Sequence, residues 1–85
     1  MEKGGPRLSA NRKQQKALLS LLKALRKEAG ITQVEMARLL GKPQPFVSYY
    51  ESGARRLDLL ELRKICHVLG ISLVEFVGRF EKDLE

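Results

Sequence analysis

The apolar residues in the first half of the chain recur at intervals of three and four, the spacing that places side chains on one face of an α-helix. Asn11 and Gln14 resemble a capping box, and Gly30 provides a stop after the apolar run. The pattern therefore predicts a first helix from about Asn11 to Ala29. Its apolar face consists of Leu18, Leu21, Leu22, Leu25 and Ala29.

A second, shorter helix is predicted to begin at Thr32. Thr32 can cap the helix while Glu35, three residues later, reaches back to the Thr32 amide, and Gly41 ends the segment. A helix of this length is not stable alone, so it must pack against its neighbours. We expect its apolar contacts to come from Val34, Ala37, Leu39 and Leu40.

A third helix is predicted to start near Gln44 or Pro45 and to end at Gly53. A proline disfavours the helical conformation of the residue before it, but is tolerated in the first turn of a helix. Helical spacing turns Val47 and Tyr50 inward. The outward positions are then Gln44, Pro45, Ser48, Tyr49 and Ser52.

Two further helices complete the pattern. Asp58 and Glu61 form a capping box before an apolar face that Gly70 ends, and Ser72 with Glu75 starts the last helix. No strand pattern competes, so the predicted fold class is all-α with five helices. The apolar residues are Leu60, Leu62, Ile65, Cys66 and Leu69 in helix four, and Leu73, Phe76, Val77 and Phe80 in helix five.

The 85 residues suffice for one compact domain. Residues 1–10, which include Gly4, Gly5 and Pro6, are expected to form a flexible basic arm, and residues 11–85 the folded domain. Apolar runs are too short for a membrane span or a secretion signal. A single cysteine, Cys66, excludes an intrachain disulfide and a cysteine-based metal cluster, which favours a cytoplasmic protein without a cofactor.

The net charge of +6 is concentrated in the first third of the chain. Such a positive field suits a nucleic-acid partner, although a solvated basic helix face explains the charge equally well. His67 has no second ligand or nucleophile nearby in the pattern, and Cys66 is expected to pack as a small hydrophobe. No motif for catalysis occurs, so an enzyme is not expected.

Two short helices around the Gly41 turn have the layout of a helix-turn-helix. Residues 18–77 resemble the Cro/repressor (Xre) family, whose landmarks Thr-Gln, Ala, Leu-Gly, Gln, Val-Ser, Glu-x-Gly and Leu-Gly-Ile-Ser occur in order. The run that carries them is GITQVEMARLLGKPQPFVSYYESGARRLDLLELRKICHVLGISLVEF. The resemblance implies a phage-repressor-like DNA-binding domain. It hence implies a sequence-specific regulator of transcription that binds double-stranded DNA, expected to be a repressor acting as a dimer.

The resemblance also implies roles for two glutamines. Gln33, at the start of helix two, corresponds to a residue that holds a DNA phosphate, and helix N-termini favour anions because unpaired N–H groups converge there. Gln44 corresponds to a base-reading glutamine, whose amide can pair with N6 and N7 of adenine. The alternative for Gln33 is a glutamine in the first helical turn that binds no ligand. The alternative for Gln44 is a solvated helix cap.

Ser48 and Tyr49 occupy the positions of the family's variable base-reading side chains. Tyr49 departs from the usual lysine, arginine or glutamine, so the base preference is open, and a partly packed surface tyrosine is an alternative. Pro43 also departs from the usual capping serine or threonine. Three basic side chains are implied to contact the phosphate backbone, with solvated side chains as the alternative: Lys42, Arg55 and Arg56.

Arg26 and Glu51 match positions where the family often has a buried ion pair between helix one and the recognition helix. In the last helix, Val77 and Phe80 are expected near the surface, where they would form the centre of a two-fold dimer contact. A core role for both residues is the alternative.

Two alternative functions remain open. The chain could be an antitoxin or a restriction-controller protein with the same module, or a protein-interaction module that has lost DNA binding. A toxin or another protein is therefore a further candidate partner.

Overall fold

The computed structural model describes residues 8–85, with side chains from residue 11 onward. Within residues 8–85 the chain is all-α, so the expected fold class is confirmed. The proposed arm falls mostly on residues 1–7, which lie outside the described residues. The five helices are Leu8–Glu28 (α1), Gln33–Leu40 (α2), Pro45–Ser52 (α3), Leu59–Leu69 (α4) and Leu73–Asp83 (α5).

The start of α1 differs from the prediction. The helix begins at Leu8, so that residues 8–10 are helical and Asn11 lies within the helix rather than capping it. Neither glycine nor proline occurs between Leu8 and Glu28, and therefore nothing in that segment interrupts the helix. The capping box proposed at Asn11 was wrong.

Local side-chain caps begin three of the other helices. The Thr32 hydroxyl accepts a hydrogen bond from the Glu35 amide at 3.1 Å, and the Ser72 hydroxyl accepts one from the Glu75 amide at 3.0 Å. At α4, both hydrogen bonds of the predicted capping box between Asp58 and Glu61 are present. The Glu35 carboxylate binds Arg38 rather than the Thr32 amide.

The core is formed by one face from every helix. On α2 the buried face consists of Met36, Ala37 and Leu40, whereas Val34 is 55% and Leu39 43% exposed. The predicted contacts of Val34 and Leu39 were therefore wrong, because α3 and α4 cover the other side of this short helix. The buried apolar residues are Leu19, Leu21, Leu22, Met36, Ala37, Leu40, Phe46, Val47, Tyr50, Ile65, Cys66 and Phe76.

The packing order places α3 against both α1 and α2, with α4 against α2 and α5, and α5 back against α1. The turn between α2 and α3 requires a left-handed residue, which Gly41 provides at φ 68°. Gly53 ends α3 in the same conformation at φ 87°. Among the described helices, none is both long and apolar enough to cross a membrane.

Candidate nucleic-acid interface

The outward face of α3 is the side that faces away from the core. Val47 and Tyr50 are buried, whereas Tyr49 is 53% exposed and Gln44 is also exposed. Ser48 is half-buried, and its hydroxyl donates a hydrogen bond to the Pro45 carbonyl at 3.0 Å. The three predicted base-reading residues therefore lie on the outward side of α3, with the Ser48 oxygen available as an acceptor.

The N-terminus of α3 lacks a side-chain cap. Gln44 adopts helical angles, φ −49° and ψ −42°, and its side chain makes no capping hydrogen bond. Pro45 follows as the first helical residue, where the missing N–H is no loss because that group has no partner within a helix. The Gln44 amide is thus not occupied by capping its own helix.

Gln33 is the first residue of α2 and is half-buried. Its Nε2 donates a hydrogen bond to Oε1 of Glu51 at 3.0 Å. This contact uses one of the two hydrogens on the amide nitrogen, so the second hydrogen can serve another acceptor. The structure thereby orients the side chain that the family resemblance assigns to a phosphate.

Arg26 and Glu51 are in direct contact. Arg26 Nε donates to Glu51 Oε2 at 2.7 Å and Nη2 to Oε1 at 3.1 Å, with side chains only 7% and 4% exposed. Arg26 Nη1 also donates to the Ile31 carbonyl at 2.7 Å. The hydrogen bond with Glu51 raises the pKa of Arg26 above its usual value. This bidentate pair ties α1 to the end of α3 and to the chain entering α2.

The two arginines of the loop between α3 and α4 differ in their surroundings. Arg55 Nη2 donates to Glu61 Oε2 at 2.7 Å, and the guanidinium carbon lies 4.8 Å from the centre of the Phe46 ring. Arg56 is exposed, and it makes no ion pair within residues 11–85. Lys42 Nζ lies 5.4 Å from the same Phe46 ring. Sequence reasoning missed the contact of Phe46 with both cations, since only the apolar spacing of α3 was visible.

A basic groove of about 920 Å³ runs between α1, the end of α3 and α5. Its cationic side chains are Arg12, Lys16, Lys23 and Arg56. Phe80 also lines this groove and packs partly buried against the core, whereas Val77 on the same helix is 44% exposed. Phe80 is therefore less exposed than Val77, and Val74, at 83% exposed, is the most exposed valine of α5.

Two further polar groups, the Cys66 thiol and the Tyr50 hydroxyl, are buried in the core. Cys66 is buried, and burial raises the pKa of its thiol, which keeps the thiol protonated. Burial also raises the pKa of the Tyr50 hydroxyl well above its usual value. Both side chains are buried, and neither lies on the outward side of α3.

Comparison with known proteins gives consistent similarities. A family model described as helix-turn-helix matches residues 22–76. The XRE-family like protein from Pseudomonas syringae pv. tomato str. DC3000 superposes with a TM-score of 0.82 at 39% identity, over 87% of this chain and 90% of that chain. The restriction-modification controller protein C.Esp1396I superposes with a TM-score of 0.77 at 25% identity, over 84% and 93%.

A curated relative is similar over a shorter part of its length. The antitoxin PezA of Streptococcus pneumoniae serotype 4 (strain ATCC BAA-334 / TIGR4) is 35% identical over 57 residues. The match covers 67% of this chain and 36% of the antitoxin. The chain thus spans little more than a third of that relative.

Proposed function

Because the chain belongs to the XRE-type helix-turn-helix family of DNA-binding regulators, we propose that it recognises a specific sequence in double-stranded DNA and represses transcription as a homodimer. The observation that carries the proposal is the outward face of α3, where Gln44, Ser48 and Tyr49 lie opposite the buried Val47 and Tyr50. A helix of this width fits the major groove of B-DNA, which admits one α-helix.

Base recognition is proposed to start at Gln44. A glutamine amide can donate to N7 of adenine's Hoogsteen edge and accept from N6, and Gln44 has no capping bond that would compete. Tyr49, one turn further along and 53% exposed, can place its ring on a thymine methyl group. Ser48 adds an acceptor oxygen, since its own proton is directed at the Pro45 carbonyl.

Phosphate binding is proposed at both ends of the helix-turn-helix. Gln33 can donate its second amide hydrogen to a phosphate at the N-terminus of α2, where the helix dipole favours an anion. Lys42 precedes α3 and Arg56 follows it, so their charges flank the recognition helix. Of the two loop arginines we favour Arg56, because Arg55 is paired with Glu61.

Two copies are proposed because one recognition helix reads only a few base pairs. We place the two-fold contact at α5, where Val77 is exposed and Phe80 borders the basic groove. Such a dimer would set the two recognition helices about 34 Å apart, one turn of DNA. The expected binding site is then a pair of inverted half-sites.

The test is selection of bound fragments from a random pool of duplex DNA, followed by sequencing. We expect enriched fragments that contain two related half-sites in inverted orientation, with centres about 10 base pairs apart. An unenriched pool would reject sequence-specific binding and favour a protein-interaction module that has lost DNA contact. A single enriched half-site would reject the dimer alone.

A second candidate is a regulator paired with a toxin or a nuclease. The similarity to the antitoxin PezA and to the controller C.Esp1396I favours it. The test is to express the product of the neighbouring gene with and without this chain. Growth arrest that this chain relieves would support an antitoxin. Modification or cleavage of DNA by the product of the neighbouring gene would support a controller.

A further inference from the structure

Arg55 is held at three points by its own protein. Its Nη1 donates to Glu61 Oε1 at 3.0 Å and to the Arg56 carbonyl at 2.9 Å, and its Nη2 donates to Glu61 Oε2 at 2.7 Å. Its backbone N–H also donates to the Tyr49 carbonyl at 3.2 Å. Three of the five N–H groups of the guanidinium are therefore occupied.

Glu61 is fixed in turn by the start of α4. Its Oε1 accepts a hydrogen bond from the Asp58 amide at 3.0 Å, while its own amide donates to Asp58 Oδ1 at 2.7 Å. The hydrogen bond from Arg55, the Asp58 amide and the charge of Lys42 lower the pKa of Glu61 to about 2. Glu61 is thus a carboxylate at neutral pH, and together with Arg55 it forms an electrically neutral pair.

The other contact of Arg55 reaches the recognition helix. Its guanidinium lies 4.8 Å from the centre of the Phe46 ring, a cation–π distance, and Lys42 Nζ is 5.4 Å from the same ring. Phe46 is only 9% exposed and directly follows Pro45 in the first turn of α3. Arg55 therefore contacts the end of α3 that begins at Gln44.

We propose that Arg55 and Glu61 are positioning residues, which hold the first turn of the recognition helix in the geometry that DNA requires, and that Arg55 is not a phosphate ligand. The inference rests on the proposed DNA-binding function. A phosphate that approached Arg55 would meet the Glu61 carboxylate beside it. Arg56, whose charge is not paired within the described part of the chain, carries the phosphate contact instead.

The substitution Glu61→Gln separates the two roles of Arg55 because they predict opposite signs. If Arg55 bound a phosphate, removal of a neighbouring negative charge would free it and would strengthen binding. If Arg55 positions α3, the substitution weakens binding to the selected site. Glutamine can still serve the capping box, so the start of α4 is retained.

The experiment measures affinity for the selected duplex and for an unrelated duplex over a series of salt concentrations. For Glu61→Gln we expect specific affinity to fall about three- to tenfold, as for an exposed ion pair together with a cation–π contact. Affinity for unrelated duplex should change less than about twofold, because non-specific binding depends on phosphate contacts, which the substitution leaves in place. If the substitution only destabilised the fold, both affinities would fall together with the urea midpoint of unfolding.

A second variant, Arg55→Lys, keeps the charge but loses the bidentate fork. We expect it to weaken specific binding as Glu61→Gln does, with an unchanged slope of log K against log salt. The matched control is Glu75→Gln, which alters the glutamate at the equivalent position of α5, whose cap is Ser72. The control should bind as the wild type does.

Stronger specific binding by Glu61→Gln, or full affinity in Arg55→Lys, would overturn the positioning role. A loss that is equal on both duplexes would also overturn it. If the wild-type chain itself failed to distinguish the two duplexes, the proposed function would fall as well, so the two failures are distinguishable.

Discussion

Gln33 and Glu51 are joined by a hydrogen bond of 3.0 Å, from Nε2 of Gln33 to Oε1 of Glu51. The same carboxylate accepts two hydrogen bonds from Arg26. The start of α2 and the end of α3 are therefore held through one buried group. A phosphate bound at Gln33 would be positioned relative to the recognition helix by this carboxylate.

Removal of one partner from the buried pair should destabilise the fold. Glu51→Leu leaves the Arg26 guanidinium, 7% exposed, without its counter-charge, and we expect a loss of about 3–5 kcal/mol in the free energy of unfolding. Urea unfolding followed by circular dichroism measures it. The control, Glu35→Gln in the exposed pair with Arg38, should change the free energy of unfolding far less, because solvent screens that pair. Equal losses in both variants would contradict the role of burial.

Substitution of the two glutamines should have different effects on DNA specificity. Gln44→Ala should relax preference at one or two base pairs, by about 1–3 kcal/mol for a lost bidentate contact, whereas Gln33→Ala should weaken all sequences alike. Competition binding with duplexes changed at single base pairs measures both. An equal loss on every duplex for Gln44→Ala would assign that residue to positioning.

The salt dependence of DNA binding should report the phosphate contact that we propose for Arg56. DNA binding releases counterions, and Arg56→Gln should reduce the magnitude of the slope of log K against log salt by about 0.9. Titrations at several salt concentrations measure the slope. Arg79→Gln removes another exposed positive charge, on α5, and should leave the slope unchanged. Identical slopes for wild type and Arg56→Gln would argue against that contact.

The dimer contact that we propose at α5 can be tested at Val77. Val77→Glu places a charge at a 44% exposed position, so the helical signal should be retained while sedimentation without DNA shifts from dimer to monomer. Phe80→Glu is a less specific test of the interface, because Phe80 packs against the core and the charge would also disturb the fold. Val34→Glu, at a 55% exposed valine of α2, is the control and should remain dimeric. A dimeric Val77→Glu would place the interface elsewhere.

Acid stability should depend on the Glu61–Arg55 pair. The pKa of Glu61 in the fold is about 2, against an ordinary value of 4.5. The stabilisation is therefore present above pH 4.5 and is lost as the pH falls from 4.5 towards 2. Glu61→Gln should flatten the fall in Tm within this window, as should Arg55→Met, which removes the main cause of the shift. An unchanged pH profile in both variants would show that the pair does not act in solution.

The sequence by itself determined the features that depend on near neighbours. The caps at Thr32, Asp58 and Ser72 were readable because each hydroxyl or carboxylate bonds an amide three residues later. The five helices and the outward side of α3 followed from residue spacing, since helical periodicity is a local property. The contact of Arg26 with Glu51 was expected only through the family resemblance, because no local pattern joins residues 25 positions apart.

Only the tertiary structure decided which faces are covered and which polar groups meet. Burial of Met36 rather than Val34 depends on where α3 and α4 pack, and spacing along an eight-residue helix does not specify that direction. The hydrogen bond between Gln33 and Glu51, 18 residues apart, likewise arises when separate helices come together. The same holds for the ion pair of Glu61, which forms with Arg55 and not with Arg56. Such contacts depend on distances in space, which neither composition nor periodicity contains.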